Sequence, residues 1–242
     1  MSRVSTDIDS LGDRIRDVGF CFVPATTTSR LPGLALADWE LFASSWNDMP
    51  LDTYMADGGR YRRRRYATLS IAPFATQARL DAHQPHYQRL EYNALHGGIA
   101  RHYQPVATTI LHGPTLSSLF ALCAGVFGQL AAGRHWHVEV HQFRIEADAA
   151  QSGQPTPEGV HRDGVDYVMV MMVKRHNIRE GTTTIHGPDG KQLASFTLTE
   201  PLDMTLVDDH RCLHGVTPVV PRDPTQAACR DVLVVTLREK SD

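Results

Sequence analysis

From Trp136 onward the chain is a succession of short apolar runs cut by Gly, Pro and Asp, and one of them, Val165 to Val173, is apolar on both faces. A strand of that kind needs a second sheet over one side and helices over the other. Strands are predicted at 136–145, 165–174, 182–186, 196–198, 204–207, 216–219 and 232–237. Regular strands joined by turns of this kind predict a barrel or jelly roll.

The first half reads differently. Ile8, Leu11, Ile15 and Val18 fall at helical spacing, Gly19 breaks the run, and Phe20, Phe22 and Val23 make a strand. Further helices are predicted at 35–46 and 115–130, the second with Leu116, Leu119, Leu122, Cys123 and Phe127 on one face. The expected fold is therefore α+β: a double-stranded β-helix, the cupin-like jelly roll, with N-terminal helices packed on its outside. A chain of 242 residues fits one large domain, with 1–134 a mainly helical scaffold with lid elements and 135–238 the barrel. The segment 148–157, rich in Ala, Gln, Ser and Pro, is predicted to be a mobile loop.

A formal charge of −3 neither calls for nucleic acid nor excludes an anionic small molecule. Cys21, Cys123, Cys212 and Cys229 are scattered without the short pairing of zinc sites, so reduced thiols are expected. Residues 1–30 carry Asp7, Asp9, Asp13 and Asp17 and lack a sustained apolar run. Neither a signal peptide nor an anchor is predicted, and a cytoplasmic location is expected. Oligomeric state is not legible.

Two carboxylate–histidine pairs stand at metal-ligand spacing, His137-x-Glu139 and His161-x-Asp163. With 13 histidines and 27 acidic residues, chance supplies such a pair about once or twice. Context separates them. His161 and Asp163 lie at the entrance to a strand, where residues two apart share a face; Gly164 follows, where a bulky side chain would obstruct open coordination positions. A remote His214 begins another strand after the turn Asp208-Asp209, and Arg230 opens the next, able to offer its planar fork to a carboxylate. Two histidines and a carboxylate can hold a ferrous ion with one face open. The competing reading is a turn hydrogen bond at His161 and Asp163, with His214 capping a strand edge.

Two polar clusters admit other uses. His135, His137, Glu139 and His141 share a strand face opposite Trp136, Val138 and Val140; the alternation suggests a half-buried strand with its polar face at solvent or rim, although a metal site is conceivable. The block Arg60-Tyr-Arg-Arg-Arg-Arg-Tyr66 could contact phosphates, or form a strand with arginines alternating outward to solvent and inward to acidic partners or a substrate carboxylate. Near-neutral total charge and the lack of a second basic cluster favour the latter.

The runs His161-Arg-Asp-Gly-Val-Asp-Tyr167, Arg175-His-Asn-Ile178, Val207-Asp-Asp209, His214-Gly-Val-Thr-Pro218 and Arg230-Asp-Val-Leu-Val234 resemble the small bacterial Fe(II)/2-oxoglutarate dioxygenases typified by L-isoleucine dioxygenase. The likeness extends upstream through 61–66, 92–98 and 141–145. It implies iron held by His161, Asp163 and His214, 2-oxoglutarate anchored by Arg230, and O2-dependent hydroxylation of a free aliphatic amino acid, with succinate and CO2 as coproducts. Arg179-Glu180-Gly181 stands where the family more often has a Gly-Gly pair. A free amino acid also needs a cation for its carboxylate; Arg144 is the first candidate, and Tyr92, Asn93 and His96 are candidates for a substrate lid. No nucleic-acid or membrane partner is expected. The alternatives are the same iron chemistry on a carrier-bound, peptidyl or nucleobase substrate, or a silent barrel that binds a metabolite or nucleic acid.

Overall fold

The computed structural model describes residues 8–240 apart from 94 and 96. Along the chain come α1 (Ile8–Val18), β1 (Phe20–Val23), α2 (Ala25–Thr28), α3 (Trp39–Ser44), β2 (Arg62–Ile71), β3 (Ala78–Leu80), β4 (Gln104–Pro105), α4 (Thr108–Leu111) and α5 (Pro114–Leu130). The second half supplies β5 (Trp136–Ala147), β6 (Tyr167–His176), β7 (Ile178–Glu180), β8 (Thr182–His186), β9 (Gln192–Thr197), β10 (Met204–Asp208), β11 (Leu213–Val216), β12 (Val219–Pro221) and β13 (Ala228–Glu239). The large sheet has the order β1-β10-β6-β13-β5-β2-β3, with β4 beside β2, and smaller sheets β11-β8-β9 and β12-β7 complete the double-stranded β-helix.

One face of the large sheet is dry. Val138, Val140, Leu233, Val235, Leu237, Met169, Met171 and Leu206 are buried in one cluster with Leu116, Leu119, Phe120, Cys123 and Phe127 of α5 and Leu11 and Ile15 of α1. Residues of opposite parity, among them His141, Phe143, Val168, Val170, Val232 and Val234, line a cavity on the other face. That answers the double-sided apolar pattern of 165–173: one side packs on helices and the other on the barrel interior. No helix among the described residues is long and apolar enough to cross a membrane.

Four expectations change. Residues before 135 are less helical than predicted: β2 runs antiparallel beside β5 from Arg62↔Ile145 to Ile71↔Trp136, as an integral strand of the large sheet. The helix expected at 35–46 shrinks to Trp39–Ser44; the Asp38 carboxylate just before it accepts the backbone N–H (2.8 Å) and hydroxyl (2.6 Å) of Thr115 in the first turn of α5. The strand expected at 216–219 divides into β11 and β12 around Thr217-Pro218, where proline has no N–H for a ladder.

The segment 148–157 is tied down rather than free: Gly153 pairs with Val219 in both directions, and the Thr156 hydroxyl bonds both backbone groups of Val216. At the departure from the Gly-Gly texture, Glu180 has φ +61° and Gly181 φ +76°. A non-glycine residue thus holds the left-handed conformation that a glycine pair would adopt without strain.

Candidate metal centre

His161 enters the site from the segment before β6 and His214 from β11, joined by a backbone bridge that runs in both directions at 2.9 Å. The Nδ1 of His161 donates to the Gly159 carbonyl (3.0 Å), which leaves Nε2 as the free lone pair. That Nε2 lies 3.4 Å from one Asp163 carboxylate oxygen, and His214 Nε2 lies 3.6 Å from the other. Ligand atoms of all three residues fall within 4.8 Å of one another.

Electrostatics favour a cation there. Burial works against a charge on His161, but the Asp163 hydrogen bond and the charges of Asp163 and Glu158 prevail and push it up to about 9. Burial and the nearby His161 bring His214 down to about 4. Burial opposes the Asp163 charge, yet His161 and His214 hold that carboxyl well below the usual range. A half-buried carboxylate flanked by two imidazole nitrogens suits a divalent ion such as Fe(II).

The loop that carries Asp163 is positioned by the second carboxylate of the turn Asp208-Asp209. Asp209 accepts the backbone N–H groups of Asp163 (3.1 Å), Gly164 (2.8 Å) and Val165 (3.2 Å). Its pKa rises to about 6 through burial and the charge of Asp163, despite those three bonds. Asp209→Asn replaces one acceptor oxygen by an amide that faces N–H donors. We expect a loss of about 1–3 kcal/mol in denaturant unfolding and metal affinity weakened by about 10–100-fold in titration.

Gly164 has a reason beyond leaving coordination positions open. Its φ is +78°, and a Cβ there would stand 2.3 Å from the Tyr92 ring. Gly164→Ala should lower stability by about 1–3 kcal/mol, and adding Tyr92→Ala should recover part of that loss in thermal unfolding. An unchanged melting temperature in the single variant would contradict the packing of Tyr92 over this turn.

The cavity, of about 650 Å³, joins the three candidate ligands to Arg230, Tyr92 and Asn93. Arg230 is 3% exposed, and its Nε and one terminal nitrogen are buried without a hydrogen-bond partner. Burial and the neighbouring Arg175 bring it down to about 10. A buried guanidinium with unused donors is a slot for a carboxylate. The Asn93 amide is engaged in its own loop, donating to Gln88 Oε1 (3.2 Å) and accepting from the Leu95 N–H (3.2 Å). Gln88 in turn donates to the Asp163 carbonyl (3.1 Å). His96 lies outside the described residues.

Arg144 is not brought to the cavity. It lies on the opposite face of β5 from His141 and Phe143, and its guanidinium forks onto Asp231 at 2.7 and 2.8 Å. Besides Arg230, the buried cations on the cavity wall are Arg62, Arg64 and Arg101. The arginine block alternates: Arg62 and Arg64 are buried inward, while Arg63 bonds Glu146 (2.8 Å) and Arg65 bonds the Ser45 and Asp48 carbonyls on the other side. A nucleic-acid surface built on this block loses its inward-facing members.

The polar face of β5 also turns inward to the cavity rather than to solvent. Glu139 gathers the Tyr66 hydroxyl (2.7 Å), His86, His137 and His141. Arg64 donates to His141 Nδ1 (2.7 Å), so that nitrogen accepts and the ring proton sits on Nε2, 3.5 Å from Glu139. His141 therefore has no lone pair to give a metal. Although His86, Glu139 and His141 also stand within 4.8 Å of one another, they form a hydrogen-bonded hub.

A family model described as 2OG-Fe dioxygenase matches residues 43–236. The L-isoleucine-4-hydroxylase of Bacillus thuringiensis is 25% identical over 200 residues, covering 78% of this chain and 81% of the relative. The crystal structure of a bsmA homolog from Methylobium petroleophilum PM1 superposes with a TM-score of 0.87 at 35% identity, covering 96% of this chain and 93% of that one. That of IDO from Bacillus thuringiensis has a TM-score of 0.80 at 16% identity, covering 97% and 100%, and supports the fold.

Proposed function

The chain belongs to the 2OG-Fe dioxygenase family, and on that premise we propose that it hydroxylates an unactivated C–H bond of a free L-amino acid. The side chain would be aliphatic, with isoleucine, leucine and methionine the first candidates. The observation that carries the reading is the meeting of His161, Asp163 and His214 in one cavity with the unpaired Arg230. The likeness to L-isoleucine-4-hydroxylase supports the choice of substrate.

The family's chemistry uses Fe(II), 2-oxoglutarate and O2: when bound, they supply the oxidising equivalents, one oxygen atom entering the substrate as hydroxyl and the other entering succinate as CO2 leaves. His161 and His214 through Nε2, with the Asp163 carboxylate, would hold the ion. Arg230 would take the remote carboxylate of 2-oxoglutarate. Val168, Val170, Val232 and Val234 give the cavity an apolar wall that excludes water and receives an aliphatic side chain. Tyr92, packed over Gly164, would bound the substrate beside the ion together with Asn93. Selectivity then lies in how the wall places one carbon against the reacting centre.

Succinate formation in the presence of Fe(II) and 2-oxoglutarate should rise sharply when one member of a panel of free L-amino acids is added. Equal rates with and without every member would overturn the reading.

A further inference from the structure

We propose that Arg64 and Arg101 form the site for the substrate's α-carboxylate, so that the protein takes small amino acids with that carboxylate free and rejects amide, ester or carrier-bound forms. This rests on the amino-acid reading above.

Both arginines are buried, Arg64 at 4% and Arg101 at 2% exposure, and both line the cavity. Arg64 is held rigidly: its guanidinium lies 4.2 Å from the Tyr103 ring centroid and 4.6 Å from that of Phe143, with Nη1 on the Tyr103 hydroxyl (3.1 Å) and Nη2 on His141. Its Nε has no partner, and neither has the Nε of Arg101. Arg101 is fixed by its backbone, which pairs with His86 in both directions at 2.9 Å. Each terminal nitrogen of a guanidinium carries two N–H groups, so these two pre-positioned forks on one wall keep donors for a carboxylate beyond the bonds to Tyr103, His141 and Gln88.

The charges of this cluster favour an anion. Arg62, Arg64 and Arg101 form one cluster, in which burial and the charges of Arg64 and Arg62 depress Arg101. Against them stand Asp52, which takes Arg62 at 2.8 Å, and Glu139. His86 and His141 are lowered by burial and by Arg64, so they add no positive charge near neutral pH. Within this cluster three guanidiniums face two carboxylates, and buried positive charge in excess is costly unless an anionic ligand offsets it.

This site is separate from Arg230. Arg230 pairs with Ile145, which pairs with Arg62, while Arg64 lies in the next inward row, opposite Phe143 and Val232. Two strand spacings and one row put the Arg64 and Arg230 backbones roughly 12 Å apart. The cavity thus offers two anion sites, as a reaction between an oxo-diacid and an amino acid requires.

Calorimetric titration of the anaerobic Fe(II)·2-oxoglutarate protein tests this without turnover. The probes are L-isoleucine, L-leucine and L-methionine, each with its amide and its N-acetyl derivative. The free acid of the preferred member should bind at least about 30-fold more tightly than its amide, and Arg64→Gln and Arg101→Gln should each weaken the acid by a similar factor. Arg63→Gln, on the other face, should leave affinity within about threefold. An amide that binds as tightly as the acid in the unaltered protein overturns the carboxylate site while the amino-acid reading stands, and this arm is independent of how the variants fold. Binding of N-acetyl acids but not free amino acids overturns the free-amine reading and leaves the carboxylate site supported. Binding of none of the three forms overturns both.

Discussion

His161→Ala and Asp163→Ala are each expected to abolish Fe(II)-dependent succinate formation and to weaken metal binding by well over the ~10–100-fold that outer-shell changes cost. The reason is geometric. His161 has one lone pair available, because the Gly159 carbonyl holds Nδ1, and Asp163 is the carboxylate that both histidine Nε2 atoms face. Removing Asp163 leaves two imidazoles in a buried site without their negative partner. Direct metal titration with circular dichroism as a folding control checks this; either variant binding Fe(II) within about threefold of the unaltered protein would contradict the ligand assignment. His141→Ala should keep the ion, since its Nδ1 accepts from Arg64 and its Nε2 faces Glu139.

The second large effect separates stability from function. Arg230→Met removes two buried nitrogens that have no hydrogen-bond partner within the protein. In the absence of 2-oxoglutarate the variant should be no less stable, and up to about 1–3 kcal/mol more stable, because an unsatisfied buried donor is costly. Its affinity for 2-oxoglutarate should fall by about 30–1,000-fold, the loss of a desolvated charge-assisted pair. Thermal unfolding and 2-oxoglutarate titration on the same preparations read both quantities. Destabilisation with unchanged affinity would mean that Arg230 is a structural cation, and the cosubstrate anchor would then have to be sought elsewhere.

The strand texture and the His161-x-Asp163 pair were legible because they rest on local rules: alternation, turn residues and a two-residue spacing on extended chain; His214, remote in sequence, was joined to them by the family resemblance. Arg144 was misplaced for an instructive reason. On β5, Val138 and Val140 face the helices, and Glu139, His141 and Phe143 face the cavity. A polar row facing an enclosed cavity reads the same in sequence as one facing solvent, so sequence alone does not tell which parity of β5 enters the cavity. The same ambiguity hid which arginines of 60–65 point inward, since Tyr61 and Tyr66, of opposite parity, are both buried. Asp209 stood out in the sequence only as part of a turn; its role was illegible because it acts on backbone N–H groups across the fold, and nothing in its own neighbourhood marks the partner loop. The arginine block was legible as an alternating strand, but not its reach to Ile71 or its place beside β5, because that pairing partner lies far away in sequence.

The most direct measurement is turnover of a pool of free L-amino acids under isotopically labelled O2, with mass analysis of every product, in the unaltered protein and in Asp163→Ala. One amino acid should gain a single labelled oxygen atom, succinate should carry the other, and the two should form in equal amounts in the unaltered protein and not in the variant. Labelled succinate with no labelled amino acid, or the same products from Asp163→Ala, would contradict hydroxylation of a free amino acid at this centre.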